Sequence, residues 1–118
     1  MNIDDIDIKI LFILQNKKKV TSTTITKKIF HPKNNRELIK FNSMIYYRIQ
    51  KWVEHKIIRE IEKKGKKHYS LDSENIVLCD RYISVKPVGS KRSMRLYFKK
   101  IFTFVYDNVC YTIGFEPL

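Results

Sequence analysis

The stretch FNSMIYYRIQKWVEHKIIREIEKKGKKHYSL, Phe41 to Leu71, decides how the rest of the chain is read. Ile45, Ile49, Trp52 and Val53 recur at spacings of three and four, which gathers them on one buried face of a helix. Asn42 and Ser43 suit its N-cap, because a short side-chain oxygen accepts from the open amides of a first turn. The opposite face carries Met44, Tyr46, Tyr47, Gln50 and Lys51, with no acid before Glu54. Ile57 and Ile58 then open a strand through Ile61, and Tyr69, Ser70 and Leu71 supply its return partner. Between the two, Lys63, Lys64, Lys66, Lys67 and His68 surround Gly65, which takes the positive φ that a tight turn requires. Lysine also guards exposed sheet edges, so a solvated hairpin tip and an anion-binding one are both open at this point.

Charge separates these readings better than spacing does. The 118 residues carry a formal net charge of +12, with a hydrophobic fraction of 43% that excludes a wholly disordered polymer. A chain this short and this basic calls for a polyanionic partner. Residues 17 to 69 hold 16 basic and 4 acidic side chains, whereas residues 1 to 16 and 70 to 118 come to −2 and +2. The excess therefore lies in the segment that contains the helix and the lysine-rich turn.

Upstream, Ile3, Ile6, Ile10, Leu11 and Leu14 step at helical spacing. Asp4 or Asp5 can cap this first helix, and Lys17 to Lys19 complement the dipole at its end. Val20 falls in a short extended segment that can pair with the later strands. Thr21 to Thr24 offer N-caps for a second helix with Ile25, Ile29 and Phe30, ending at His31-Pro32. The segment HPKNNRELIKF, His31 to Phe41, reads as a turn followed by one or two helical turns leading into the third helix. Its Lys33, Arg36 and Lys40 suit phosphate contacts, and its Leu38, Ile39 and Phe41 suit padding of the core.

Helix, turn, helix, helix and lysine-rich hairpin in this order resemble the winged helix-turn-helix, most closely the N-terminal domain of leucine-responsive (Lrp/AsnC) regulators. Asp4, Asp7, Ile10, Leu11, Leu14 and Gln15 lie near the family's opening D-x-x-D-x-x-I-L-x-x-L-Q pattern. Arg48-Ile49, Val53, Glu54 and Ile57-Ile58 are similar to the end of its third helix and first strand. The resemblance covers residues 3 to 71 and departs from the pattern in three places. His31 to Phe41 replaces a turn of three or four residues, and Lys56 stands where the family has glycine. The remainder is too short for the family's ligand-sensing domain, so no amino-acid effector is implied.

Beyond the hairpin, Val77, Cys79, Ile83 and Val85 alternate as in a strand, while Asp80, Arg81 and Ser84 also fit one helical face. Polar residues from Ser93 to Asp107 fall almost every fourth position, and Lys99-Lys100 spoils strand alternation, which predicts a helix over 93–107. This helix is apolar around most of its circumference, so it is expected to be wrapped by residues 108–118 or to pack against a second copy. The expected fold is thus α+β: a winged helix-turn-helix over residues 1–72, three helices with a two- or three-stranded wing, and a helical, dimerising extension over 73–118.

No run approaches the roughly 20 apolar residues that span a bilayer, and the acidic MNIDDIDIK start is unlike a signal peptide, so a cytoplasmic protein without membrane contact is expected. Cys79 and Cys110 stand alone, which argues for buried apolar residues over a zinc site and leaves a disulfide open. His31, His55 and His68 have no carboxylate or cysteine at ligand spacing, and no phosphate loop or hydrolase motif is present. Neither enzymatic activity nor a cofactor is expected; the pair Tyr46-Tyr47 alone hints at tyrosine attack on phosphate, without the acidic metal cluster such chemistry needs.

The resulting expectation is a sequence-specific double-stranded DNA-binding protein, a transcriptional regulator acting as a homodimer through residues 93–118. Helix 43–55 would enter the major groove, with Ser43, Tyr46, Tyr47, Gln50 and Lys51 reaching bases or flanking phosphates. Glutamine can pair with adenine, and aromatic edges can meet thymine methyls. Arg48 matches a family arginine that serves helix packing as well as DNA. Lys63, Lys64, Lys66, Lys67 and His68 would grip the backbone or minor groove, and Lys27 and Lys28 the backbone. The alternatives are a module that binds protein or RNA and an architectural protein that coats DNA without sequence preference.

Overall fold

A computed structural model describes residues 3–16, 19–78, 82–87, 89–97, 102–106 and 109–113. The layout is α+β. Helices α1 (Asp5–Asn16), α2 (Ser22–Phe30) and α3 (Asn35–Glu54) come first, followed by an antiparallel pair, β1 (Ile58–Lys63) and β2 (Lys66–Leu71). Then β3 (Ser73–Leu78), β4 (Tyr82–Pro87) and β5 (Met94–Tyr97) form an antiparallel sheet in that order, and β6 (Phe102–Tyr106) pairs with β7 (Val109–Ile113).

Each helix begins where side-chain chemistry satisfies its free amides. Asp4 Oδ1 accepts from the Asp7 N–H at 3.0 Å and Asp7 Oδ2 from the Asp4 N–H at 3.1 Å, a reciprocal pair that starts α1. Thr21 caps α2 by accepting from Thr24 N–H at 3.2 Å. The N-cap of α3 is Asn34, eight residues before the expected Asn42: its Oδ1 accepts from Glu37 N–H at 2.9 Å, while Glu37 Oε2 accepts from Lys33 N–H at 2.8 Å. The asparagine and the glutamate three residues later carry this signal in the sequence, and no glycine or proline interrupts the following 20 residues. The segment 31–41 is thus a four-residue turn, His31 to Asn34, and the first two turns of α3. Asn42 instead accepts from Thr26 Oγ1 at 3.1 Å, tying α3 to α2, and Ser43 Oγ donates to Ile39 O at 3.1 Å.

At its other end α3 closes in a Schellman turn: Ile57 N–H donates to Trp52 O and Lys56 N–H to Val53 O, both at 3.0 Å. Lys56 sits at φ 61°, the left-handed conformation that glycine favours. The hairpin turn has the same demand twice, with Lys64 at φ 53° and Gly65 at φ 76°, as a two-residue I′-type connection requires.

The core joins the three helices to β1 and β2. Ile8, Ile10, Leu11, Ile13 and Leu14 of α1, Ile25 of α2, and Ile45, Ile49 and Trp52 of α3 are buried with Val20, Ile57, Ile58 and Tyr69. Burying Ile45 and Ile49 contributes roughly 1.5 to 3 kcal/mol each. Val53 and Ile6 are only partly buried, while Ile8 and Ile13, off the expected face of α1, are buried. The segment around Val20 pairs as expected: Val20 and Tyr69 exchange both backbone bonds, at 3.1 and 2.7 Å. Phe30 and Phe41 stack with centroids 4.4 Å apart beside the α2–α3 turn.

The helix expected over 93–107 is not formed. Met94–Tyr97 and Phe102–Tyr106 are separate strands, and 76–85 is likewise strand wherever it is described. Tyr97, Phe102, Thr103, Phe104, Val105 and Tyr106 are aromatic or β-branched, types that favour a pleated surface. Lys99-Lys100 lies between the two strands in sequence and so interrupts neither. The C-terminal part is therefore β-stranded where described, and β6 runs beside α1. The expectations for residues 17, 18 and 79–81, including Cys79 and part of the Lys17 to Lys19 run, lie outside the described residues. No described helix is long and apolar enough to cross a membrane.

Candidate nucleic-acid interface

Helix α3 turns a different set of residues toward each of its neighbours. One stripe is the core face. A second faces the start of α1, where Asp7 is 1% exposed. Asp7 accepts from Trp52 Nε1 at 3.1 Å and Lys51 Nζ at 3.0 Å, and lies 3.5 Å from Arg48 Nη1. The same Arg48 nitrogen is ion-paired with Asp4. Partial burial opposes ionisation of Asp4, yet the Asp7 backbone N–H and the Arg48 guanidinium outweigh it and hold the carboxyl below its ordinary range. Lys51 Nζ also lies 5.3 Å from the Trp52 ring centroid.

The third stripe faces the hairpin. Glu60 of β1 accepts from Gln50 Nε2 at 2.9 Å and from Tyr69 Oη at 3.0 Å, with Lys67 Nζ at 3.7 Å. Burial alone would raise the Glu60 pKa; the bonds from Gln50 and Tyr69 and the charge of Lys67 bring it below the ordinary value. Tyr69 is shifted upward, first by burial and then by its bond to Glu60. Lys67 reaches Tyr46 Oη at 3.5 Å and stands 5.6 Å from that ring. The tyrosine hydroxyl and the Glu60 charge raise its pKa. Tyr46 in turn meets Tyr47 edge-on at 6.3 Å.

These contacts revise the expected base readers. Lys51, Gln50 and Arg48 do not project freely from α3: each is held by a carboxylate of another element. Asp4 and Asp7 arrive from the start of α1 and Glu60 from β1, which spacing along one helix does not reveal. Tyr47 is 75% exposed and Ser43 is exposed, although its hydroxyl is engaged by Ile39 O.

The outward stripe of α3 extends toward its N-terminus. Ile39, Ser43 and Tyr47 form one i, i+4 row, and Arg36, Lys40 and Met44 form the next. Ile39 is 63% and Met44 38% exposed, and Arg36 and Lys40 are exposed. Arg36 and Lys40, expected at a separate turn as phosphate contacts, thus lie on α3 itself; Ile39 is exposed where padding of the core is expected, and Met44 is not among the expected DNA contacts. A cleft of about 320 Å³ lined by Met44, Tyr47, Arg48 and Lys51 borders this stripe on the α1 side.

On the hairpin side lies a cleft of about 370 Å³, lined by Thr21, Ser22, Thr23, Tyr46, Lys66, Lys67 and Tyr69. It joins the start of α2, the side of α3 and the face of β2 into one surface. Lys63, Lys64, Lys66 and Lys67 are exposed around the hairpin tip. His68 is half-buried, with Nδ1 3.2 Å from Lys66 O. Lys27 is exposed on α2 and lines a third cleft, of about 430 Å³, with His31, Lys33 and Leu38 at the α2–α3 turn; Lys28 is half-buried. Lys66 and Lys67 of the hairpin thus come together with Tyr46 and, beside it, Tyr47, while Lys27 and Lys28 lie apart on α2. No protein-family model matches the chain, and neither a curated protein nor a solved structure matches it.

Proposed function

We propose that this chain is a winged-helix, sequence-specific double-stranded DNA-binding protein that regulates transcription. In this reading α3 lies in the major groove with the stripe from Arg36 to Tyr47 toward the bases, and the β1–β2 hairpin is the wing on the backbone or in the minor groove. One observation carries it: the Lys67–Tyr46 contact and the cleft beside it join the exposed lysines of the hairpin to the outward side of α3. A continuous cationic surface built on a helix and a hairpin matches the shape and charge of a duplex groove with its flanking phosphates.

Arg48, Gln50 and Lys51 take a different part from the one their sequence positions suggest. Bound to Asp4, Asp7 and Glu60, they fix the pitch of α3 against α1 and the hairpin and leave phosphate and base contacts to the outward stripe. Homodimerisation through residues 93–118 stays within the proposal on the apolar content of that segment. It would set two copies of α3 about 34 Å apart along the duplex.

Selection of bound duplexes from a random pool, followed by a salt titration, tests the reading. A short recurrent site is expected, symmetric if the dimer forms. Affinity should fall by roughly 10³ between about 50 and 200 mM salt if six or more phosphates are neutralised. A flat isotherm overturns the electrostatic basis, and equal competition by unrelated RNA returns the protein- or RNA-binding alternative.

A further inference from the structure

The polar side chains of α3 that border its outward stripe are engaged within the protein. Gln50, whose amide would otherwise suit adenine, gives Nε2 to Glu60, and Ser43 gives its hydroxyl proton to Ile39 O. Arg48 and Lys51 are held by Asp4 and Asp7. Besides Arg36 and Lys40, what α3 presents outward is Ile39, Met44 and Tyr47, large side chains of mostly apolar surface exposed to 63%, 38% and 75%. Solvent gains nothing from such side chains, and the exposed Arg36 and Lys40 stand among them, in the same i, i+4 row as Met44, which suits a polyanion better than an apolar partner.

In the major groove one base edge is apolar: thymine, through its C5-methyl. Ile39 to Tyr47 span about 12 Å along the helix axis, which matches three to four base steps. We infer that the specificity of this chain is methyl readout, with Ile39, Met44 and Tyr47 packing on the methyl groups of adjacent thymines while Arg36 and Lys40 hold the flanking phosphates. The inference rests on the DNA-binding reading and names the base class that it reads.

The experiment uses the full chain and the duplexes it selects, synthesised once with thymidine and once with deoxyuridine at every thymidine position, which removes the methyl and keeps the hydrogen-bonding edge. Two or more adjacent thymines are expected in the contacted core. Removing each methyl should weaken binding about fourfold, so full replacement costs about tenfold or more. The triple variant Ile39→Ala, Met44→Ala, Tyr47→Ala changes exposed side chains only and should keep its helical circular dichroism. It should bind both duplexes equally, with the salt slope of the unmodified protein. Equal affinity of the unmodified protein for the two duplexes, or a selected core without thymine, overturns methyl readout and leaves DNA binding standing. Retention of no duplex at about 50 mM salt overturns both.

Discussion

Asp7 and Trp52, 45 residues apart in sequence, meet in the core, where the indole Nε1 donates to the carboxylate at 3.1 Å. The same carboxylate accepts from Lys51, and Asp7 is itself half of the reciprocal cap that begins α1. One side chain thereby sets the start of the first helix and the rotation of the third. Asp7→Ala leaves Lys51 and the indole without that acceptor and should destabilise the fold by about 3 kcal/mol. Asp7→Asn retains an acceptor for Trp52 and should cost less. Urea unfolding followed by the single tryptophan's fluorescence measures both; equal, small losses would mean that the contact is incidental.

Stability should depend on pH at both extremes. The folded-state pKa values of Asp4 and Glu60 lie below their ordinary 3.8 and 4.5, so their contribution is full above those values and is lost as pH falls through the folded ones. Tyr69 is shifted the other way from 10.0: the unfolded chain releases this proton first, so stability falls as pH rises above 10. Thermal unfolding from neutrality downward and upward should show both limbs. Tyr69→Phe should flatten the alkaline one, and Glu60→Gln should reduce the acid one.

The start of α3 can be located by substitution. Asn34→Ala removes the cap and should cost about 1 kcal/mol. Ser43→Ala, inside the helix, should be neutral or slightly stabilising. A helix beginning at Ser43 would reverse this order, and thermal unfolding of the two variants decides it.

Lys56 closes α3 from a left-handed conformation, φ 61°, with its side chain exposed. Lys56→Gly removes the steric cost and should stabilise by about 1 kcal/mol, offset in part by the greater freedom of the unfolded chain. Chemical denaturation measures the gain. A loss would show that the lysine side chain has a stabilising contact at this turn.

Replacing Lys63, Lys64, Lys66 and Lys67 by Ala should weaken duplex binding on all sequences alike and make the salt slope shallower by about one for each phosphate no longer neutralised. Base preference should be unchanged, because the hairpin carries no proposed base contact. Unchanged affinity in a folded variant would reduce the hairpin to an ordinary sheet edge.

The α+β order of the first 71 residues was legible because each element there is signalled locally. Ile45, Ile49 and Trp52 keep helical spacing, Thr21 caps, and Lys64-Gly65 turns. The same local logic failed where a signal was shared or diluted. Asn42 and Ser43 offered a plausible cap and hid the better one at Asn34. Lys99-Lys100, read as part of one continuous element, makes two separate strands resemble a helix.

Sequence alone determined the charge excess in residues 17–69, the buried face of α3 and the glycine turn of the hairpin, since each follows from composition or from contacts between near neighbours. Tertiary structure decided which cations and amides of α3 remain available. Lys51, Arg48 and Gln50 are polar residues on an apparently free face until Asp4, Asp7 and Glu60 arrive from other elements. A charge is neutralised by whatever lies within a few ångströms in space, and proximity across 10 to 45 residues of chain is set by packing of the core.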